Sequence, residues 1–104
     1  MHSIHADSAQ IKGIYRESIN LIRRGWHVLA NFIPGFNQPP EIEGFTPDIY
    51  ALNGPLTYII LVDHNGSMNH LKKDAFRKYV KEFPNTFFFI YLVNNAGCRI
   101  TTEE

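Results

Sequence analysis

The sequence predicts one small α/β domain over residues 1–104, with the element order α-β-β-β-α-β. Two segments, residues 8–24 and 68–83, carry apolar residues at helical spacing. Short apolar runs rich in β-branched and aromatic residues fill the intervals between and after these segments. The second helix joins two nearly continuous apolar runs, which permits a right-handed parallel crossover. We therefore expect a mixed sheet of four or five strands flanked by two helices.

The first helix is predicted by a periodic apolar stripe and by its end signals. Asp7 or Ser8 can cap its start, and Gly25 stands where a glycine commonly ends a helix. The polar residues 1–7 are expected to form a flexible tail. A strand follows over residues 26–32. The stripe consists of Ile11, Ile14, Tyr15, Ser18, Ile19 and Ile22.

A long loop separates this strand from a predicted hairpin. Its Pro34-Gly35 and Pro39-Pro40 pairs exclude regular structure. The hairpin consists of strands at residues 48–52 and 56–63, and Asn53-Gly54 is a strong turn signal between them. The second of these strands is almost wholly apolar, which is typical of a strand covered on both faces.

The second helix and the last strands complete the domain. Pro84 ends the helix, and residues 86–93 form another apolar strand. The segment "CRITT" is a candidate fifth strand at the sheet edge. The stripe of this helix consists of Leu71, Ala75, Phe76, Tyr79, Val80 and Phe83.

Composition limits the functional classes. Ten basic and ten acidic residues cancel, so nucleic-acid binding would have to come from a local patch. The single cysteine, Cys98, excludes an internal disulfide and a cysteine-based zinc site, and favours a cytoplasmic location. No apolar run approaches the roughly 20 residues that cross a bilayer, so no membrane association is expected.

Two acids stand at the same end of the predicted hairpin. Asp48 begins its first strand and Asp63 ends its second. A two- or four-residue turn would place Asp48 on the face of Asp63, whereas a three- or five-residue turn would place it on the face of His64. Asn-Gly favours the two-residue turn and hence Asp63. Two carboxylates on one face can hold Mg²⁺, although both are also common turn and strand-edge residues.

The element order and the motif "TPDIYAL" resemble the PD-(D/E)XK, or restriction-endonuclease-like, nuclease superfamily over nearly the whole chain. Asp48 matches the aspartate of its PD motif. In that superfamily the first helix often carries a glutamate facing the site, and Glu17 in "IYRESINLIRRGW" is the natural match. The resemblance implies that Glu17, Asp48 and Asp63 would hold a magnesium ion.

The third motif departs from the superfamily pattern of an acid, any residue and a lysine. With Asp63 as the acid, Asn65 occupies the lysine position; shifted by one residue, Val62 and His64 occupy the two positions. Some superfamily members carry the lysine on the following helix, which makes Lys72 and Lys73 candidates.

The incomplete motif favours a degenerate, non-catalytic member that binds nucleic acid or protein. The alternatives are an active Mg²⁺-dependent nuclease with a relocated lysine and an unrelated small α/β interaction domain. Lys72, Lys73 and Arg77 on the second helix are candidate DNA contacts. Because many such nucleases act as dimers, the resemblance also leaves a homodimer open.

Overall fold

The computed structural model describes residues 6–66 and 68–104, and it confirms the predicted α/β class and element order. Within these residues, two helices and a five-stranded mixed sheet form a single compact unit. The elements are α1 (Ser8–Arg23), β1 (His27–Ala30), β2 (Ile49–Asn53), β3 (Leu56–His64), α2 (His70–Glu82), β4 (Thr86–Val93) and β5 (Arg99–Glu103).

The strands lie in the sheet in the order in which they occur in the chain, β1-β2-β3-β4-β5. The β3–β4 pair is parallel and the other three pairs are antiparallel. The parallel pair is the one joined through α2, as a crossover connection requires. The candidate strand near Cys98 is therefore present as β5.

Each face of the sheet packs against one helix. On the α1 side, Ile14 and Leu21 join alternate strand residues such as Ile60 and Val62 in one buried cluster. On the α2 side, Phe76 packs among the residues that point the other way, including Leu61. Alternate side chains of β3 thus pack into two separate cores, one on each face of the sheet. This explains why the strand is almost wholly apolar.

The first helix starts at a well-formed cap. The Asp7 side chain accepts a hydrogen bond from the backbone N–H of Gln10 at 2.8 Å. The predicted cap at Asp7 is thus confirmed, and Asp7 belongs to the start of the helix and not to the flexible tail predicted for residues 1–7. Residues 1–5, the rest of that predicted tail apart from Ala6, lie outside the described residues.

The second helix is shorter than predicted. It begins at His70, because the Asn69 side chain accepts hydrogen bonds from the N–H groups of Leu71 and Lys72 and so caps the helix there. In the described part of the chain, neither helix has the length and apolarity that crossing a membrane would require.

The hairpin turn lies one residue later than predicted. Asn53 pairs with Leu56, which leaves Gly54 and Pro55 as the two turn residues. Gly54 has a φ of +58°, which suits the first central position of a type II′ turn, and proline fits the second. This displacement preserves the strand parity, so Asp48 faces the same way as Asp63 and not as His64.

Candidate functional site

The site is centred on Asp48, just before β2 begins. The ladder between β2 and β3 ends at Ile49 and Ile60. Beyond it, the Asp48 N–H donates to the Ile60 carbonyl at 3.2 Å, and the Asp48 carboxylate accepts from the N–H of Val62 at 2.8 Å. The Asp48 side chain thus bonds β3 at a point where the ladder of backbone pairs with β2 has ended.

A pocket of about 390 Å³ opens beside this point, at the carboxyl end of β3. Asp48 and Asp63 both line it, as the turn parity requires. Its other walls come from the amino-terminal ends of both helices. They include Asp7, Gln10, Asn69 and Lys72, and His64 at the end of β3 lines the pocket as well.

Asp48 is the most perturbed acid of the pocket. Its side chain is buried, and desolvation raises its pKa from 3.8 to about 6. The hydrogen bond from Val62 and the positive charge of Lys72 lower this pKa, while the negative charge of Asp63 raises it. Asp48 therefore changes its protonation state close to neutral pH and responds to the charges of its two neighbours.

Each helix contributes to the pocket the third residue after its N-cap. Asp7 and Asn69 are the N-caps, so Gln10 and Lys72 each stand three residues inside their helix. The Gln10 side chain lines the pocket with Asp48, and its proximity lowers the pKa of that carboxyl. Because helix amino termini carry partial positive charge, this arrangement favours ionised carboxylates and bound anions in the pocket.

His64 lies on the rim and ties three chain segments together. Its Nδ1 is 3.0 Å from the Asp7 carboxylate, and its Nε2 is 2.8 Å from the side-chain oxygen of Asn95. These two bonds, with that to Asp7 the larger influence, raise the pKa of His64 above 6.5. The hydrogen bond to the backbone N–H of Gln10, followed by that to His64, holds the pKa of Asp7 below 3.8.

Comparisons of the chain with protein-family models, curated proteins and solved structures found no match.

The structure brings Asp48, Asp63 and Lys72 together, but it does not bring Glu17 to them. Glu17 lies further along α1, buried beside β5, where its carboxylate is 3.7 Å from Nε of Arg99. It lines a different pocket, together with Arg23 and Tyr58. Gln10, two turns earlier on the helix, is the α1 side chain that faces Asp48.

The remaining predicted residues lie outside the carboxylate pocket. Lys73 does not line the carboxylate pocket, although its neighbour Lys72 does. The Arg77 guanidinium lies over the Phe88 ring, 5.9 Å from its centre, and so packs on the α2 face of the sheet. Asn65 occupies the turn after β3 with a φ of +77°, and it lines a separate surface pocket with Ile100. The formal lysine position of the third motif therefore contributes nothing to the carboxylate pocket.

Gln10 is the pocket residue that the sequence did not reveal. Its signal is its place three residues after the Asp7 cap. A glutamine at that position commonly bonds back to the cap residue, so the pattern points to helix initiation and away from a pocket.

The donor set fits a magnesium ion better than a transition metal. Asp48 and Asp63 supply carboxylate oxygens and Gln10 an amide oxygen, which are ligands that Mg²⁺ prefers. Among residues 6–66 and 68–104, no group of three or more histidines, cysteines or acids is arranged to hold a metal. Mg²⁺ retains several waters and is commonly held by one or two carboxylates, so a third acid is not required.

Proposed function

We propose that this protein is a Mg²⁺-dependent phosphodiesterase of the PD-(D/E)XK nuclease type, with its lysine relocated from β3 to α2. The observation that carries the proposal is that Lys72 lines the same pocket as Asp48 and Asp63. The charge of Lys72 also lowers the pKa of Asp48, which indicates proximity between the two groups. Two acids and one lysine are the side chains that this chemistry uses.

In this proposal Asp48 and Asp63 would hold the magnesium ion. The ion, when bound, lowers the pKa of a water and neutralises charge on a phosphodiester. The Lys72 ammonium would donate to a phosphate oxygen and stabilise the negative charge that develops there. The amino-terminal N–H groups of α1 and α2 would add favourable partial charge around the phosphate. The Asp48–Val62 hydrogen bond fixes one carboxylate oxygen, and the other would serve as the ligand of the ion.

The decisive experiment compares two adjacent lysines. Wild type, Asp48→Asn, Lys72→Met and Lys73→Met are assayed with Mg²⁺ or Mn²⁺ against single- and double-stranded DNA and against RNA. We expect cleavage by wild type, and losses of about 100-fold or more for Asp48→Asn and Lys72→Met. Lys73→Met, which removes the same charge from the neighbouring position, should remain within about threefold of wild type, because Lys73 does not line the pocket.

Equal losses for the two lysine variants would show that general charge matters and not the position of Lys72. Equal cleavage by wild type and Asp48→Asn would place the activity elsewhere or in a contaminant. Either outcome removes the proposed site.

A non-catalytic member of the same type is the second candidate. Two observations favour it. Glu17 lies beside Arg99 in another pocket, and Asn65 stands at the position where the motif has its lysine. In that case the domain would bind nucleic acid or protein without cutting. The absence of wild-type cleavage on all of the substrates would favour this candidate over the enzyme.

A further inference from the structure

A second pocket, of about 450 Å³, lies on the α1 side of the sheet near the end of that helix. It shares no lining residue with the carboxylate pocket. Since α1 has 16 residues, it is about 24 Å long, and the two pockets lie toward its opposite ends. We define this second site as the arginine–aromatic pocket, lined by Arg23, Arg24, Arg99, Tyr58, Phe89 and Tyr91.

The aromatic side chains of this pocket form a surface that α1 leaves uncovered. The helix ends at Arg23, and the α1-facing rings of β3 and β4 continue beyond it. Phe89 lies edge-on to Tyr58, with ring centres 4.9 Å apart. Tyr58 and Phe89 are half-buried, and the adjacent Phe87 is 44 % exposed. The accessible part of such a ring can stack with the bases of nucleic acid.

Three arginines border these rings. Arg23 and Arg24 are exposed at the end of α1, and the Arg99 guanidinium stacks on the Tyr91 ring at 4.4 Å. Guanidinium groups bind phosphates with two parallel hydrogen bonds and also stack on planar rings. The pocket therefore pairs phosphate-binding groups with base-stacking groups.

Glu17 supplies a hydrogen-bond acceptor at the same site. Its carboxylate lies 3.7 Å from Nε of Arg99, which exceeds hydrogen-bond length and leaves its oxygens able to accept other donors. A base amino group or a sugar hydroxyl provides such a donor. The three arginine charges exceed the single glutamate charge, so the pocket stays favourable for a phosphate.

From these contacts we propose that the arginine–aromatic pocket binds a phosphorylated nucleoside, presented either as a free nucleotide or as a unit of single-stranded nucleic acid. The base stacks on Phe89, the phosphate pairs with Arg23 and Arg24, and Glu17 accepts from the base or the sugar. This binding requires neither the metal ion nor cleavage at Asp48, so it can be tested independently of the proposed activity.

The chain contains its own reporter for this pocket. Trp26 is its single tryptophan, and its ring centre lies 4.2 Å from that of Tyr58. Tryptophan fluorescence is titrated, without metal, with adenosine monophosphate, short oligothymidylate, ribose 5-phosphate and inorganic phosphate. We expect a saturable change with adenosine monophosphate or the oligonucleotide. Binding of the two ligands without a base should be about tenfold weaker or more, because stacking is lost.

Two matched double variants test the phosphate contacts. Arg23→Gln/Arg24→Gln removes two exposed charges from the pocket. Lys12→Gln/Arg16→Gln removes two exposed charges from the same helix, at residues that do not line the arginine–aromatic pocket. We expect the first pair to weaken binding about tenfold in low salt and to reduce the slope of log affinity against log salt by about one. The second pair should change affinity by less than about threefold.

Binding by adenosine monophosphate supports a free-nucleotide ligand, and binding by the oligonucleotide alone supports a strand. The absence of saturable binding by both would overturn the proposal. Equal binding of adenosine monophosphate, ribose 5-phosphate and inorganic phosphate would also overturn it, since it would show a simple anion site. So would equal effects of the two double variants.

Discussion

The Asp48 carboxylate accepts a hydrogen bond from the backbone nitrogen of Val62 at 2.8 Å, inside the protein. This bond favours the charged form of Asp48, yet burial outweighs it and raises the pKa to about 6. The native fold therefore holds a carboxylate that would ionise more readily in the unfolded chain. The protonation of Asp48 is therefore linked to the stability of the fold.

Replacing Asp48 with asparagine should change how stability depends on pH. The folded pKa, about 6, exceeds the reference value of 3.8, so this group contributes stability below pH 3.8 that is lost as the pH rises through 6. At about 1.4 kcal/mol per pKa unit, the loss is about 3 kcal/mol. Asp48→Asn, which keeps an acceptor for Val62, should lack this decline. Urea unfolding at pH 4, 5, 6 and 7 measures the free energy of unfolding of each protein. Asp74→Asn, at an exposed position, serves as the control. Parallel curves for wild type and Asp48→Asn would contradict the assignment.

Magnesium should stabilise the protein in a pH-dependent manner. The ion competes with the proton on Asp48, so its binding should strengthen as the pH rises through about 6. At ten times its dissociation constant, a ligand of the folded state stabilises by about 1.4 kcal/mol. Thermal unfolding with and without Mg²⁺ at pH 5 and pH 8 tests this. Asp48→Asn and Asp63→Asn should each reduce the shift, whereas Asp74→Asn should keep it; a shift of the same size at both pH values would be unexpected.

Removing the charge of Lys72 should raise the pKa of Asp48 further, because that charge lowers it in the wild type. Lys73→Met serves as the control, since Lys73 does not line the pocket. Carbon-13 NMR of the aspartate carboxyl carbons follows the titration directly. If both variants shifted Asp48 equally, the effect would come from the total charge of the helix.

Asp7→Asn should lower the pKa of His64 toward 6.5, because it removes the negative charge but retains a capping oxygen for Gln10. In the wild type the raised pKa of His64 means that its contribution to stability is present below 6.5 and is lost as the pH rises through the folded value. Proton NMR of the His64 imidazole gives its titration in the wild type and in Asp7→Asn. An unchanged midpoint in Asp7→Asn would show that Asn95 alone sets the shift.

Gly97→Ala should destabilise the fold more than Gly35→Ala. Both glycines have a positive φ, +80° and +89°, so both substitutions introduce backbone strain of about 1 kcal/mol. A Cβ at Gly97 would also lie 2.8 Å from the backbone nitrogen of Gly13, whereas one at Gly35 meets no atom within 4 Å. We expect an additional loss of about 2 kcal/mol for Gly97→Ala in urea unfolding. Equal losses would mean that the loop moves away from α1 freely.

The fold was largely predictable because its signals are local. The apolar stripes gave both helices, and the unbroken apolar runs at residues 56–63 and 86–93 gave the paired central strands. The predicted turn lies one residue too early because Asn53-Gly54 is a strong turn signal by itself. Pro55 instead fits the turn itself, where no hydrogen bond from its nitrogen is needed.

The site was predictable only in part. Asp48 and Asp63 follow from strand parity, and Lys72 was one of two candidates that the sequence could not separate. Placing Gln10 and Glu17 required the exact position of α1 along the sheet, which depends on the close contacts of Gly13 with Val62 and Val93. Such contacts join residues far apart in the sequence, and no local pattern records them.

The Gly54–Pro55 turn makes this site unusually sensitive to one kind of genetic change. A substitution in the turn alters stability, but an insertion or deletion of one codon there would reverse the facing of every residue in β2 relative to β3. Asp48 and Asp63 would then lie on opposite faces of the sheet, although the codons of both residues were unchanged. Such a change would keep both acidic residues but remove the proposed metal site, and the opposite change would restore it.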